Sequence, residues 1–453
     1  MPINSFLYPA KNVPVVYEVA NSCRFNVGSN DFLSRTIGTP TDEDRWTFSV
    51  WLKITGEAPS VQYGILSAGN YPNAYETIHL NGSDQLFYHY NDGGGADHGA
   101  TKYAGIIRDP SAWYNLIVSR NGTAGKIYIN GTDVTTTVGA FNNSTNVINK
   151  SGGTLRVGHS ERETSGRSWN GYMSEVVFCD GQLLDQTSFG EFDSDSGIWK
   201  PIDVSGLTFG DNGFYLDFED SSALGNDVSG NNNDFTASNL TAIDQATDTP
   251  TNNFATLNPL YNAYVDPTFS EGNLKITQSS GWSGAKATMG VSTGKWYWEV
   301  KLTGTMSSHI HGVQQENVNE GAQNPQNTTG TTSFYNHDGG EVNTDGSNTT
   351  ADYGTLDDGD ILGIALDMDA GSYGQITFYD NGSAIASNIN LSSSSTTVMP
   401  HFSIDNSTVE CNFGSPPYSI SSGNADGNGY GNFEYSVPSG YYSLCTKNLA
   451  EFG

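Results

Sequence analysis

The sequence predicts an all-β protein built from two antiparallel β-sandwich domains in tandem. The composition combines 36 % hydrophobic, 12 % aromatic and only 15 % charged residues with 53 glycines, which suits many short strands joined by turns. Strand-like runs alternate apolar and polar residues, as in "RWTFSVWLKI" (45–54), where Trp46, Phe48, Val50 and Leu52 share one face. Each half also has an Asn-Gly pair between two such runs, which predicts a hairpin.

The strand pattern divides the chain into two similar halves. We assign residues 1–245 to the first sandwich, 246–266 to a linker, and 267–453 to the second sandwich with a C-terminal tail. The strand-like runs of the first half include 113–122, 125–134, 155–160 and 171–184, and those of the second half include 294–302, 361–369, 374–382 and 398–404.

The glycine- and aspartate-rich stretch "GDILGIALDMDAGSYGQITFYDNG" (359–382) is interpreted as two strands with their turns. It shares with "AGKIYINGTDV" (124–134) the order glycine, polar residue, isoleucine, alternating strand residues and Asn-Gly. Asn130-Gly131 and Asn381-Gly382 are therefore predicted to be two-residue turns with positive φ at both positions. Asp367 and Asp369 are expected to cap a turn.

Charge and segment lengths exclude several classes of function. The net charge of −30 repels phosphate backbones and anionic membranes, so no nucleic-acid partner is expected. No apolar run approaches ~18 residues, so no membrane insertion is expected. The N-terminus lacks the cationic and apolar regions of a signal peptide. Release by host lysis, as part of a virus particle, is the route that we expect. The four cysteines are interpreted as free, buried thiols, with two long-range disulfides as the alternative.

The second half resembles a SPRY domain. The resemblance covers roughly 267–420 and is carried by "GKWYWEV" (294–300), "DDGDILGIALDMDAGSYGQITFYDNG" (357–382) and "VMPHFSI" (398–404), in matching order. It implies a concanavalin-like β-sandwich (jelly-roll) that binds partners through loops and has no catalytic activity.

The first half is similar to the laminin-G-like branch of the concanavalin-like lectin/glucanase superfamily. The motifs are "RWTFSVWLKI", "WYNLIVSRNGTAGKIYINGTDV", "LRVGHS" and "GYMSEVVFCDGQLL". The whole arrangement, with "DTPTNNFATLNPL" and "LCTKNL", resembles structural proteins of marine tailed phages. This resemblance implies a virion protein of a bacteriophage with two concanavalin-like domains.

The sequence contains neither the glucanase motif nor a zinc-binding motif. Glucanases of this superfamily use a Glu-x-Asp-x-x-Glu strand; "EFDSD" (191–195) begins that pattern, but position 196 is serine. We therefore expect a protein that is not an enzyme. The histidines form no zinc motif, and His309 and His311, which alternate on one strand, are expected on a solvated face.

These sequence patterns require no cofactor. Ca²⁺ is the one ion for which they offer candidate ligands. The EF-hand spacing is absent, but hard cations need only clustered oxygen atoms. Asp227, Asn231 and Asp234 are the candidate ligands. The alternative is that these residues cap turns.

Two loops have the composition of a sugar-binding site, which combines aromatic faces with amide and carboxylate groups. They are "FYHYNDGGGADHG" (87–99) and "SFYNHDGG" (333–340). The candidate ligand-binding residues are Tyr90, Asn91, Asp92, Tyr335, Asn336 and Asp338. The alternative is that they are ordinary polar loop residues.

The resulting functional prediction is a virion surface protein, in a tail fibre or associated with the capsid, for host adhesion. Its expected partners are a host cell-surface glycan or protein and other virion proteins. It is expected to form a homo-oligomer or to be present in many copies, because single sugar sites are weak. A purely structural decoration protein and a divergent glycan hydrolase are the alternatives.

Overall fold

The computed structural model describes most of the 453-residue chain. The described residues are 17–56, 62–70, 73–94, 97–103, 105–135, 146–161, 167–261, 265–318, 328–337, 339–348, 351–392 and 396–453.

Most regular structure in the described residues is antiparallel β-strand, so the predicted all-β class is confirmed. The strands of the first half are β1 (Ser22–Phe25), β2 (Phe32–Thr36), β3 (Arg45–Ile54), β4 (Tyr63–Gly69), β5 (Tyr75–Leu80), β6 (Leu86–Asn91), β7 (Asp97–Tyr103), β8 (Trp113–Asn121), β9 (Ala124–Ile129), β10 (Thr132–Asp133), β11 (Thr154–Val157), β12 (Gly171–Asp180), β13 (Gly190–Phe192), β14 (Trp199–Pro201), β15 (Phe214–Leu216), β16 (Thr236–Ser238) and β17 (Gln245–Ala246). The strands of the second half are β18 (Thr268–Ser270), β19 (Lys275–Gln278), β20 (Ser283–Lys286), β21 (Lys295–Gly304), β22 (His309–Gln315), β23 (Thr331–Tyr335), β24 (Glu341–Thr344), β25 (Ser347–Asn348), β26 (Ile361–Asp367), β27 (Gln375–Asp380), β28 (Ser383–Asn390), β29 (Val398–Ile404), β30 (Ser407–Asn412) and β31 (Tyr442–Ser443).

Short helical turns complete the described structure. The 3₁₀ turns are Gln186–Ser188, Ala242–Asp244 and Met306–Ser308, and the α-helix α1 is Thr446–Phe452. None of the helices in the described ranges is long and apolar enough to span a membrane.

The first sandwich consists of two sheets packed face to face. Sheet 1A has the order β10-β9-β8-β3-β12-β1-β17, with β15 paired to β12, and sheet 1B has the order β16-β2-β11-β4-β5-β6-β7. Every second residue of a strand faces the other sheet. Phe48 and Val118 of sheet 1A thus share one buried core with Ile78 and Leu155 of sheet 1B.

The second sandwich repeats this arrangement. Sheet 2A has the order β18-β19-β30-β21-β26-β27-β28, with β31 beside β21, and sheet 2B has the order β20-β29-β22-β23-β24-β25. Trp298 and Phe378 from sheet 2A meet Phe334 and Phe402 from sheet 2B in a second core.

In each sandwich, a later part of the chain covers the outer face of the A sheet. In the first, Phe189 and Phe209 pack on Ile117 and Val177 of sheet 1A. In the second, Phe433 packs on sheet 2A, and its ring centroid lies 5.3 Å from that of Tyr297.

Both predicted Asn-Gly turns are confirmed. Asn130 and Gly131 join β9 to β10 with φ values of 47° and 73°. Asn381 and Gly382 join β27 to β28 with φ values of 46° and 81°. This left-handed backbone is the one that a type I′ hairpin requires.

Substituting Gly131 by alanine is expected to destabilise the first sandwich by about 1–3 kcal/mol more than Gly122→Ala, because of overpacking. Both glycines have positive φ, so both variants carry similar backbone strain. A Cβ at Gly131 would overlap the buried Trp199 ring, whereas a Cβ at Gly122 meets nothing within 4 Å. Urea unfolding of the two variants measures the difference, and equal midpoints would contradict this explanation.

The first part of the predicted linker, residues 246–257, is largely buried between the sandwiches. Lys53 of β3 donates from Nζ to Asp248 Oδ2 at 2.6 Å, Asn253 Oδ1 at 2.6 Å and the Phe254 carbonyl at 3.1 Å. Trp113 Nε1 donates to the other Asp248 oxygen at 3.0 Å. Lys53 and Asp248 are each 1 % exposed. The predicted boundaries at 245 and 267 stay predictions, but residues 248–254 are firmly attached to the first sandwich.

Direct contacts also join the two sandwiches. Arg24, which is fully buried, places Nε 3.4 Å from Glu271 Oε2. The Tyr172 hydroxyl donates to the Gly272 carbonyl at 2.9 Å. Ala255 and Leu257, which follow the buried linker segment, belong to the second core. The connection between the two sandwiches is thus made of buried polar and apolar contacts.

All four cysteines are free and buried, as the sequence predicted. Cys23 and Cys179 lie in the first sandwich, and Cys411 and Cys445 lie in the second.

Candidate binding face of the second sandwich

The predicted site residues of the first sandwich do not converge. Tyr90 lies on β6 and packs against the first core, and its ring stacks on His98 at a centroid distance of 4.9 Å. Asn91 points to the opposite side of the strand, is buried, and accepts a hydrogen bond from the Gly93 N–H at 2.8 Å. Asp92 likewise caps Gly94 at 2.8 Å. Strand alternation and turn capping explain all three residues.

The predicted residues of the second sandwich also separate into two roles. Tyr335, the last residue of β23, lies on the outer face of sheet 2B, because its neighbour Phe334 faces the core. Asn336 is buried and is bonded through both amide atoms to the backbone of Leu356, at 3.0 and 2.8 Å. Asn336 is thus a structural residue in this conformation. Asp338 lies outside the described residues.

Tyr335 belongs to an aromatic group that sequence reasoning did not assemble. His337 stacks on Tyr335 with a centroid distance of 5.0 Å and an interplanar angle of 11°. Trp282 meets Tyr335 edge to face at 6.3 Å. All three side chains are partly exposed. We call Trp282, Tyr335 and His337 the aromatic group. Rings of this kind can stack on the C–H face of a sugar or on an apolar side chain of a protein.

A row of polar residues crosses the same outer face two residues further along the strands. It runs through Lys286, His401, Gly312, Ser333 and Asn343, which are neighbours in register across β20, β29, β22, β23 and β24. The four side chains of this polar row are 0–2 % exposed. A polar sheet face buried to this degree needs a hydrogen-bond partner for each group.

Two members of the polar row have polar atoms without partners among the residues that the structure describes. These atoms are Ser333 Oγ and both amide atoms of Asn343. Lys286, by contrast, donates from Nζ to the carbonyls of Gln315 at 2.9 Å and Val318 at 2.8 Å. The alternation in "TTSFY" places Ser333 and Tyr335 on one face, and this signal could have been read from the sequence. That Asn343 of β24 lies beside Ser333 can be known only from the order of strands in the sheet.

The equivalent outer face of the first sandwich is polar and internally paired. Arg156 of β11 forms an ion pair with Glu161, and Thr77 of β5 donates to Ser160 at 3.1 Å. The Glu161 carboxylate on this face thus neutralises an arginine.

The three candidate calcium ligands lie in one loop, where they organise the backbone. The Asp227 carboxylate accepts from the N–H groups of Tyr215 at 2.9 Å and Asn233 at 2.8 Å. Asp234 accepts from the Asp227 N–H at 2.9 Å, and Asn231 uses its NH₂ group on two backbone carbonyls. Among the described residues, no group of three or more His, Cys, Asp or Glu side chains could hold a metal ion. The turn-capping alternative accounts for these contacts, and calcium binding stays a prediction.

The expectation that His309 and His311 lie on a solvated face is wrong. Both are fully buried and share the core-facing side of β22 with Val313. Nδ1 of His309 lies 3.2 Å from Nε2 of His311. Burial lowers the pKa of His309 to about 4 and lowers the pKa of His311 well below its usual value. Both rings are therefore neutral near pH 7.

Glu175 is a second buried titratable group that the sequence did not reveal. It sits at an irregularity of β12 with a φ of 50°. Its Oε2 accepts from the hydroxyls of Tyr17 and Tyr215, each at 2.8 Å. Burial raises its pKa to about 7. Its phenol partners hold this carboxyl inside the protein.

Family comparisons identify both halves of the chain. Residues 28–187 match the model described as the concanavalin A-like lectin/glucanases superfamily, and residues 295–416 match the SPRY domain. The chain therefore carries a laminin-G-type concanavalin-like domain and a SPRY domain in tandem, as predicted from its motifs. These two domains suggest a binding-type module.

Solved structures with a similar fold include proteins of varied origin. The SPRY domain of human HERC1 is 19 % identical, with a TM-score of 0.28, and the match covers 34 % of this chain and 96 % of that one. Domain 4 of AbnA, an extracellular arabinanase of Geobacillus stearothermophilus in complex with arabinotriose, is 18 % identical, with a TM-score of 0.25, covering 31 % and 63 %. The heptameric SAP-like pentraxin of Limulus polyphemus is 14 % identical, with a TM-score of 0.28, covering 37 % and 80 %. Comparison with curated proteins gives no significant match. These likenesses are too distant to indicate a ligand for this chain.

Proposed function

We propose that the chain is a non-enzymatic surface protein of a virus particle that binds a host glycan or protein. The observation that carries the binding part is the aromatic group on the outer face of sheet 2B, in a chain whose two domains are both of binding type. The aromatic group offers partly exposed rings on a rigid sheet, which is how binding proteins present flat contacts.

The virion part of the proposal rests on the resemblance to phage structural proteins noted above. A net charge of −30 suits a protein that stays soluble outside a cell. Because a single site with a few aromatic side chains binds weakly, many copies on one particle would raise the apparent affinity by ~10²–10⁴.

Removing rings of the aromatic group is expected to weaken ligand binding without unfolding the protein. Tyr335→Ala and Trp282→Ala should each weaken binding by about 3- to 10-fold, the loss that corresponds to one stacking contact. The measurement is binding of the full chain to a glycan array and to intact host cells. Tyr373→Ala is the matched control, because Tyr373 is 48 % exposed on another part of the second sandwich.

The results separate the parts of this proposal. Normal binding by both variants would overturn the role of the aromatic group.

The same proteins, incubated with laminarin, agar and capsular polysaccharides, should release no oligosaccharides; release that one Asp or Glu substitution abolishes would indicate the hydrolase alternative. Immunogold labelling of lysates from cells that express the gene should decorate particles, and label on free protein alone would contradict the virion part.

One observation favours the decoration function as a second candidate. Leu183, Phe192 and Ile198 are 52 %, 56 % and 67 % exposed on the segment that covers sheet 1A. Exposed apolar side chains of this size often mark contacts with another protein. If Phe192→Ser with Ile198→Ser removes the protein from particles while Tyr335→Ala leaves adsorption normal, the decoration function is correct.

A further inference from the structure

Carboxylates flank the two larger rings of the aromatic group. Glu341 of β24 stands in register with Tyr335 of β23, so both side chains project from the outer face of sheet 2B, with their Cβ atoms about 5 Å apart. At the other ring, Ser283 pairs with the β29 residue that precedes Asp405, which places Asp405 beside Trp282, the residue before Ser283. Glu341, Asp405 and both rings are partly exposed, so this surface is aromatic and acidic.

The second sandwich has few cations of its own. Residues 267–453 contain 19 Asp and Glu residues against five Lys and no Arg. The five lysines are engaged elsewhere: Lys275 pairs with Glu410, Lys295 with Asp367 and Lys447 with Glu18, Lys286 donates to backbone carbonyls, and Lys301 lies over the Tyr418 ring. A negative field of this kind attracts cationic partners and repels acidic ones.

The two rings add a direct attraction for a cation. Trp282 and Tyr335 lie nearly perpendicular, with an interplanar angle of 69° and a centroid distance of 6.3 Å, so they form two walls of a corner. The face of an aromatic ring attracts an ammonium or guanidinium group, and the indole ring of Trp does so most strongly. The alkyl chain that carries the charge packs on apolar surface such as the second ring.

A ring combined with a carboxylate already holds a lysine within this sandwich. The Lys295 amine lies 5.7 Å from the centre of the Tyr441 ring and 2.7 Å from an Asp367 carboxylate oxygen. The aromatic group with Glu341 presents the same two kinds of group on the surface of sheet 2B, where the side chain of another molecule can reach them.

We propose that the aromatic group and Glu341 bind a lysine or arginine side chain of a host-surface protein, with the charged group over a ring and paired with the Glu341 carboxylate. Proteins are the partners that present such side chains. Neutral glycans carry no cation, and acidic glycans are repelled by the net charge of −30. This inference rests on the proposed function and selects the protein from its two kinds of partner.

The test measures binding of the full chain to a glycine-lysine peptide displayed densely on a sensor surface, because a single contact is weak. Physiological ionic strength screens the long-range attraction to the acidic chain. Acetylation of the lysines, which removes their charge but keeps the alkyl chain, should weaken binding by about 10-fold or more. Trp282→Ala, Tyr335→Ala and Glu341→Gln should each weaken it by about 3- to 10-fold.

Glu451→Gln is the matched control for charge. Glu451 is exposed on α1, and the substitution removes the same single charge as Glu341→Gln at a place away from the rings. It should change binding by less than about 2-fold, because screening limits the effect of a distant charge. Equal losses for the two glutamine variants would show that only the net charge matters, and would overturn the inference.

Other outcomes separate this inference from the proposed function. If the acetylated peptide binds as tightly as the lysine peptide, or if the full chain binds neutral glycans through Tyr335 but no lysine peptide, the inference is wrong and the proposed function stands. If Tyr335→Ala and Trp282→Ala bind peptides, glycans and host cells normally, both fail. Melting temperatures show whether the variants are folded; if Glu341→Gln unfolds, Trp282→Ala and the acetylated peptide decide.

Discussion

Replacing Glu76 by alanine is expected to destabilise the first sandwich by about 3–5 kcal/mol, the loss typical of breaking a buried ion pair. Glu76 of β5 and Arg120 of β8 are both fully buried and form an ion pair between the two sheets. Glu76 also accepts the backbone N–H groups of Val147 at 2.8 Å and Ile148 at 3.0 Å. The substitution leaves the arginine charge in the core without its carboxylate.

Two comparisons show whether the loss comes from the unpaired charge. Lys126→Ala removes an ion pair in which Lys126 and Asp133 are 58 % and 43 % exposed, and it should cost far less than Glu76→Ala because solvent screens the pair. The double variant Glu76→Leu with Arg120→Met should be more stable than Glu76→Ala, because it leaves no uncompensated charge. Guanidinium unfolding followed by tryptophan fluorescence measures all three. A double variant less stable than Glu76→Ala would contradict this account.

Acidification is expected to destabilise the second sandwich through its buried histidine pair. The pKa of His309 is lowered to about 4 in the folded protein, against about 6.5 in the unfolded chain. The unfolded chain therefore binds a proton that the folded protein does not, in the window from pH 6.5 down to pH 4. As the pH decreases from 6.5 to 4, the free energy of unfolding therefore decreases by about 3 kcal/mol because of His309 alone. His311, whose pKa is also lowered, adds to the loss.

The His309→Gln variant isolates this effect from the titration of surface carboxylates. Its free energy of unfolding should decrease less between pH 6.5 and 4 than that of the wild type, since glutamine does not titrate. Glu175 in the first sandwich should act in the opposite direction. Its pKa is raised to about 7, so its contribution is present at low pH and is lost as pH rises from about 4.5 through 7. Parallel pH curves for the wild type and His309→Gln would rule out the histidine explanation.

Local sequence signals predicted the parts of the fold that depend on neighbouring residues. Asn130-Gly131 and Asn381-Gly382 were predictable because a type I′ turn requires positive φ at two adjacent residues, which Asn-Gly supplies. The free cysteines followed similarly from their spacing. The first strand quoted, 45–54, matches β3 as observed, because its alternation spans a whole buried strand.

Features that depend on the order of strands could not be predicted. Alternation showed that His309 and His311 share a face but not that this face is the core, which requires knowing that Phe402 of β29 lies beside His311. The pairing of Glu76 with Arg120 joins residues that are 44 positions apart. The aromatic group needs Trp282, which is 53 residues from Tyr335, so the candidate site emerges only when β20 and β23 are placed in one sheet.

The contacts between the two sandwiches have a mechanical consequence for the proposed binding. Turning one sandwich against the other would break the contact of Arg24 with Glu271 and the hydrogen bond from Tyr172 to the Gly272 carbonyl. These contacts therefore fix the angle between the two sandwiches, so a force that turns one sandwich also turns the other. A ligand held on sheet 2B keeps a constant direction relative to whatever anchors the first sandwich. Copies arranged around a common axis would then point their sites along the same set of directions, so neighbouring sites would match ligands at one spacing better than at others.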